Sequence, residues 1–526
     1  MKRRTYVMLS MALMFLAAVV PPARATEMTV QNASQLQTAL GSAGGGDVIL
    51  LTGGDYGWVR LKDYHFDSPA TLRAADRTDP PVFKGLRIDN GRNMVIDGFT
   101  MFRGETIPEE IYYALVELYP SESITFVHCR LHGATVESGA TAGYGSGFGI
   151  NVRGGTDITI RRCVFTNNRK AVVTYGTSGM GLTLEQNYVY NHREDAFYVI
   201  GGNNLIADNI VLDNNPRILP DGAGDHPDMI QANIHHSTIR NNFFRGIAQG
   251  MHGGGYHTDW GDPSLAGTNT IENNIIYTTW VKGIGVWSMP DTTITHNTAL
   301  APWSSSPARV HINLSEGSLG SADSDLEYNM AERVDEDTPG VTYTGNVNVQ
   351  RDDPEGSDPY IEDVLVGGLV TGQSPIADFD VMAGAFPGMA ETPGADPGRF
   401  FWLDVGDPSD PGNEMYPLWL RLDDLGKAKL TEALGLTTPT PGDADGDGDV
   451  DLDDFAALKT YFGATDGATW AMGDFDDDGD VDLDDFAALK TYFGATDGAT
   501  WAMGDFDDDG DVDLDDFAIL KTNFGS

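Results

Sequence analysis

Two parts of this 526-residue chain concentrate side chains that can move protons or hold cations. The first lies between residues 170 and 290. Its densest run is Asp225-His226-Pro227-Asp228 with Gln231 just beyond. Upstream stand Lys170 and His192-Arg193-Glu194-Asp195 with Tyr198, and downstream stand Gln249, His252 and Lys282. Imidazole exchanges protons near neutral pH, and carboxylates, phenols and ammonium groups set the charge around it. On an acidic sugar chain, β-elimination and C5-epimerisation share a first step, loss of the proton beside a uronate carboxylate. That step needs a neutraliser for the carboxylate and a base of suitable pKa. Lys170, Lys282 or Arg193 could neutralise; His226, His252 or Tyr198 could exchange the proton. The candidate catalytic set is Lys170, Asp195, Tyr198, His226, Asp228, Gln231 and His252. Glycoside hydrolysis would instead use two carboxylates about 5–9.5 Å apart, and Asp195 with Asp228 is the pair that could supply them. A non-catalytic glycan-binding or adhesion surface would use the same aromatic and polar face without turnover.

The second part is the C-terminus. Residues 441–526 carry 25 Asp, no Glu and three Lys. Loops 31 residues apart begin at Asp443, Asp474 and Asp505, each with the pattern D-x-[DN]-x-[DN]-G and an acid at position 12. Ca²⁺ takes six to eight hard oxygen ligands, and Gly at position 6 allows the sharp turn between them. The ligands expected are Asp443, Asp445, Asp447, Asp449 and Asp454; Asp474, Asp476, Asp478, Asp480 and Asp485; and Asp505, Asp507, Asp509, Asp511 and Asp516. A single helix follows each loop, with Phe455, Leu458 and Phe462 on one stripe. Folding of this tail is expected to be coupled to the metal. The groove of the first part offers a second place where Ca²⁺ could sit, beside its His and Asp.

What must position the first cluster is a repeat. Short apolar-polar strands run into an Asn or Cys and then into another strand: Ile158 to Cys163, Leu182 to Asn187, Leu205 to Asn209, Ser237 to Asn242, Thr270 to Asn274, Thr293 to Asn297. Fainter copies hold Gly98, Cys129, Asn329 and Asn346. Spacing varies while the strand core persists, so one unit stacks on itself and insertions leave as loops. Strands of three to five residues cannot each bury a face alone; coiling stacks like residues at about 4.8 Å. The fold class expected is all-β, a right-handed parallel β-helix solenoid with an asparagine ladder, followed by a small α domain of calcium loops. In the alignment of the next strand, Val172, Phe197, Ile230 and Met251 point inward. Lys170, Asp195, Asp228, Gln249 and Lys282 form one edge ladder, and Tyr198, Gln231 and His252 form a second on the outer face. A helix near Asn32–Leu40 is expected to plug the first coil. Cys129 and Cys163 share a ladder position and are either two small buried residues or a disulfide.

These features carry two resemblances. The stretch Gln35 to Tyr56 resembles the cap of alginate lyases and chondroitinase-B-like polysaccharide lyases, which implies a secreted β-helix acting on acidic polysaccharide by elimination or epimerisation. Those families place a catalytic Lys shortly after an acidic coil segment, and Glu194 to Asn204 holds none. The loop–helix repeats, with Leu458-Lys459-Thr460-Tyr461, resemble dockerin repeats over 442–525. That implies calcium-dependent docking to a cohesin-like or cell-surface partner, although three copies and Leu452-Asp453 at positions 10 and 11 depart from the pattern.

Met1-Lys2-Arg3-Arg4, the apolar run Tyr6–Val20 and Ala23-Arg24-Ala25 read as a cleaved export signal. The domains expected are the signal at 1–25, the capped β-helix at 26–350, an irregular closing segment with a Pro/Thr linker at 351–440, and the calcium repeats at 441–526. A net charge of −45 speaks against a nucleic-acid partner. The mature protein is expected to be secreted or attached to the cell surface, monomeric and without a membrane span.

Overall fold

The computed structural model describes residues 25–175, 179–216, 225, 227–255, 267–301, 309–317, 320–350, 358–368, 370 and 374–436. The expected export signal, His226 and the three Asp-rich loops lie outside these residues. Contacts divide the chain into two units: Met1–Gly372 with Ile376–Asp423, and Gln373–Pro375 with Asp424–Ser526. Among the described residues no helix is long and apolar enough to cross a membrane.

The first unit is a parallel β-helix. Each turn of chain lays down one strand on each of three walls, and each strand pairs with its counterpart one coil away. The first wall contains Gly155–Arg161, Thr183–Glu185 and Leu205–Ala207. The second contains Val164–Thr166, Tyr188–Tyr190 and Ile210–Leu212. The third contains Lys170–Thr174, Phe197–Gly202, Asp228–His235, Gln249–Gly255 and Lys282–Trp287. Period-2 alternation sends one set of side chains inward. Ile160, Leu184, Ile206, Ile239, Ile271 and Ile294 stack in register on the first wall, all fully buried. Burying such columns is what the repeated short apolar strands achieve together and none achieves alone.

The corner between the first and second walls uses no loop. Arg162, Gln186, Asp208, Asn241, Asn273, His296 and Tyr328 each adopt left-handed φ of 50–57°, and one such residue turns the chain from one wall to the next. A left-handed conformation costs a non-glycine residue roughly 1–2 kcal/mol. The residue that follows offsets it. Asn187, Asn209, Asn242, Asn274, Asn297, Asn329 and Asn346 form a ladder in which each side-chain N–H donates to the next amide oxygen at 2.9–3.0 Å. The same oxygens accept backbone N–H groups of the preceding coil at 3.0–3.1 Å. Gly98 does not belong to this column. It is the left-handed corner itself (φ 81°), and Phe99 occupies the position equivalent to Cys129. Cys129 and Cys163 are both buried with free thiols; burial and the Cys129 sulfur together push the Cys163 thiol well up.

A helix, Ala33–Ser42, precedes the coils. The Asn32 side chain caps it by accepting from the Gln35 N–H at 3.0 Å, and Leu36, Ala39 and Leu40 join the core of the first strands. At the other end, the described chain at 358–368, 370 and 376–423 lies on the outer side of the second wall. Trp402 Nε1 donates to the Asp208 carbonyl at 2.7 Å, the Tyr190 hydroxyl donates to Asp423 Oδ1 at 2.7 Å, and the Arg162 guanidinium meets Glu414 at 2.8 Å. This covering buries Tyr188, Tyr190, Phe243 and Tyr277; among the described residues no such layer lies on the third wall. The sequence reading took 351–440 as irregular throughout. The structure adds a helix, Asp424–Leu434, in the second unit. Lys427-Ala428-Lys429-Leu430 and Glu432-Ala433-Leu434 are strong helix formers, and Gly435 at φ 68° ends the helix in the usual left-handed way.

Candidate functional site

The outer face of the third wall carries the column expected from the alignment. Val173 pairs with Tyr198, Tyr198 with Gln231, Gln231 with His252, and His252 with Gly285. Val172, Phe197, Ile230, Met251 and Ile284 fill the interior behind them. Tyr198, Gln231 and His252 are half-buried side chains open to the same face.

His252 is the most elaborated of the three. Its Nδ1 lies 3.6 Å from Asp228 Oδ2, and that carboxylate is wholly buried. Its Nε2 lies 3.5 Å from Lys282 Nζ. The ring also rests against Trp287 at 4.9 Å between centroids. The imidazole therefore has a buried acid 3.6 Å from Nδ1, an indole packed against it at a tilt of 59°, and Nε2 beside an ammonium group.

Lys170 and Asp195 lie one step toward the corner. The Lys170 ammonium pairs with Asp195 and stands 3.3 Å from Glu194 and 5.1 Å from the Tyr198 ring centre. Asp195 Oδ1 accepts the Asp228 backbone N–H at 3.1 Å. Burial pushes the Asp195 carboxyl up to about 6, with the adjacent Lys170 ammonium acting against it. Burial works against the charge of Lys170, yet Asp195 and Glu194 hold its ammonium above the ordinary value. Partial burial raises the Tyr198 phenol, so it keeps its proton at neutral pH, although Lys170 pulls the other way.

The structure revises two expectations. Asp195 and Asp228, the pair considered for hydrolysis, have side chains 1% and 0% exposed. They sit beneath the face, where the strand enters from the corner, and cannot flank a sugar from two sides. Arg193, considered as a neutraliser, is 3% exposed and committed to Glu110 and Asp225, each at 3.0 Å. With Arg169 and Glu194 these groups line a cleft of about 630 Å³ at the same corner. Among the described residues no cluster of three or more His, Cys, Asp or Glu is arranged to hold a metal.

His192, which joined the cluster on sequence grounds, is a core residue. It is fully buried, neither ring nitrogen has a hydrogen-bond partner among the described residues, and burial pushes its pKa down to about 3. The unfolded chain protonates this ring below about 6.5 while the folded chain does not. The penalty from His192 is therefore absent above pH 6.5 and grows by about 1.4 kcal/mol per unit as pH falls toward 3. His192→Leu should flatten the fall in stability between pH 6.5 and 4.5 by about 3 kcal/mol. Parallel pH–stability curves for the two chains would refute this.

Sequence reasoning passed over several groups on this wall: Arg153, which stands 5.6 Å from the Tyr112 ring and 5.9 Å from that of Tyr175; Trp287; and, further along, Trp58. The available signal was the outward phase of each strand: for Arg153 and Trp58 it must be followed into coils that lack a ladder Asn, and for Trp287, in the Asn274 coil, it lies two residues beyond the outward Gly285.

The class of protein is defined by these features: a parallel β-helix with an open, polar and aromatic wall. Residues 84–299 match the family model described as right handed beta helix region. No curated protein sequence matches the chain. Similar solved structures include the PL6 family alginate lyase AlyGC, at 12% identity over 64% of this chain and 53% of that one, TM-score 0.36. Others are the PL6 family polysaccharide lyase Pedsa3628 from Pseudopedobacter saltans (14%, 63% and 95%, 0.37) and the Dettilon tailspike protein (14%, 62% and 63%, 0.41). The chain thus spans about half the length of AlyGC, and at these identities the likeness is one of fold.

Proposed function

We propose that the third wall is the groove of a polysaccharide lyase or C5-epimerase acting on a uronate-containing chain. The observation that carries this reading is His252, with Nδ1 held toward buried Asp228 and Nε2 presented on the open face beside Lys282. With Asp228 near Nδ1, the tautomer protonated there is favoured, and Nε2 faces the groove beside the Lys282 ammonium. His252 Nε2 takes the proton from the carbon next to the uronate carboxylate. Lys282 stabilises the charge that spreads onto the carboxylate. Tyr198, protonated and two strands away, gives a proton either to the leaving glycosidic oxygen, which completes elimination, or back to the opposite face of the same carbon, which completes epimerisation. Gln231 between them is placed to bind a sugar hydroxyl. The fully buried Asp195 and Asp228 argue for this chemistry over hydrolysis.

The test is incubation of the full chain with alginate, polygalacturonate and chondroitin. Elimination gives ultraviolet-absorbing unsaturated uronates; epimerisation gives exchange of solvent deuterium into the polymer without cleavage. Neither signal on any acidic polymer would defeat the proposal and favour a binding-only wall.

The reading extends to export from the cytoplasm and to a calcium-dependent docking tail, supported by the signal-like leader and by the loops at Asp443, Asp474 and Asp505. Chelation of calcium is expected to lower the helical circular dichroism of the tail and calcium to restore it. A spectrum indifferent to both would remove calcium from the account.

A further inference from the structure

The open wall continues well past the candidate centre toward the N-terminal end, through Phe148–Val152, Ala114–Leu118 and Pro81–Asp89 to Gly54–Lys62. There Val59 and Leu61 are buried, and the alternate residues Trp58, Arg60 and Lys62 project outward. Trp58 is 57% exposed, the most exposed tryptophan among the described residues with large apolar side chains. Its ring rests on the bare backbone of Gly85 in the next strand, where a Cβ would lie 1.9 Å from the indole. Any other residue at 85 would lift the ring from the wall. The Arg103 guanidinium lies 5.3 Å from the ring centre.

This arrangement repeats toward the centre. Arg87 covers the Tyr119 ring at 3.8 Å, Arg153 approaches both Tyr112 and Tyr175, and Tyr175 lies 6.2 Å from Tyr198. In this half of the wall the cations are paired with acids: Arg60 and Arg87 with Asp89, Arg87 and Arg153 with Glu117, Lys84 with Asp55 and Lys62 with Asp63. With Arg103 the basic groups outnumber these acids, so the face carries a small cationic excess on a chain whose net charge is −45. An aromatic plate open on one side stacks on a flat apolar sugar face, and guanidinium groups beside it select a polyanion.

We propose that Trp58 and Arg60 form a distal subsite that anchors an extended acidic polysaccharide, seven strands from His252, or roughly 34 Å at strand spacing. The inference rests on the functional reading above for the identity of its ligand class. Its purpose is to hold long chains while the reacting sugar lies over Tyr198, Gln231 and His252.

The test uses the full chain with His252→Ala to silence turnover, run in affinity gels containing alginate, polygalacturonate or chondroitin sulfate. Trp58→Ala with Arg60→Ala is expected to weaken retention by the best polymer about tenfold, in line with one lost stacking contact. Trp58→Phe should restore most of it, and an unchanged melting curve shows that the fold is intact. In the active chain, the double substitution should raise KM for long polymer about tenfold and leave short oligosaccharides, which cannot span the distance, unaffected. Turnover and retention that match the parent would overturn the subsite while leaving the catalytic reading in place. Equal retention by single-stranded DNA gels would overturn the assignment to an acidic glycan. A parent chain that neither binds nor converts any acidic polymer would remove both.

Discussion

His252→Ala is expected to cut the rate of proton abstraction by about 10²–10⁴-fold, the range for loss of a positioned general base, while retention in an affinity gel stays at the parent level. The expectation follows from where the ring is held. Asp228, 3.6 Å from Nδ1, favours the tautomer protonated there, and Trp287 packs against the ring, so the loss falls on kcat more than on KM. Asp228→Asn tests the same point from beneath. An amide can donate to Nδ1 and turn the lone pair away from the groove, so activity should fall by at least about tenfold. Full activity in both variants would move the chemistry off this wall position.

Asn274→Ala is the second large effect, and it concerns stability. The Asn274 oxygen accepts the Asn242 backbone N–H at 3.1 Å and its side-chain N–H at 2.9 Å. Its own amide donates to Asn297, Ile239 and Glu272 at 2.9–3.1 Å. The site is wholly buried, so alanine strands a backbone donor and several side-chain and carbonyl groups at once. Each orphaned buried group costs about 1–3 kcal/mol, which places the total near 3–5 kcal/mol. Asn346→Ala, at the less buried end of the ladder, should cost about 1 kcal/mol. Calorimetry of both variants decides; equal losses would show that the ladder contributes no more than its individual bonds at the rim.

The middle of the coil was legible in the sequence and the ends were not. Tyr198, Gln231 and His252 could be aligned because each follows a ladder Asn by a strand, a connection (long before Asp228) and another strand, and period-2 alternation then fixes which way they face. The burial of Asp195 and Asp228 could not be read. They open their strands at a bend, where alternation gives no phase, and only the path of the next coil decides whether a carboxylate meets solvent or the backbone N–H above it. Gly98 was misplaced by one residue for a related reason. With Phe99 in place of Asn there was no amide to mark the column, and the glycine of the corner stood out instead. Trp58 lay beyond reach because the coil that carries it has no ladder residue at all. The helix Asp424–Leu434 was hidden by the Pro and Gly around it, which dominate composition over a long window while the eleven residues themselves favour helix.

The amide ladder holds the rise between coils constant while successive amides lie anywhere from 17 to 33 residues apart. Height and circumference are thus independent variables in this protein. Insertions at the rim can be gained, lost or exchanged without moving any residue of the third wall relative to its neighbours, so the borders of that wall can evolve while its columns stay fixed. Duplication of a whole coil would lengthen the track by one quantised step and leave every existing contact where it was.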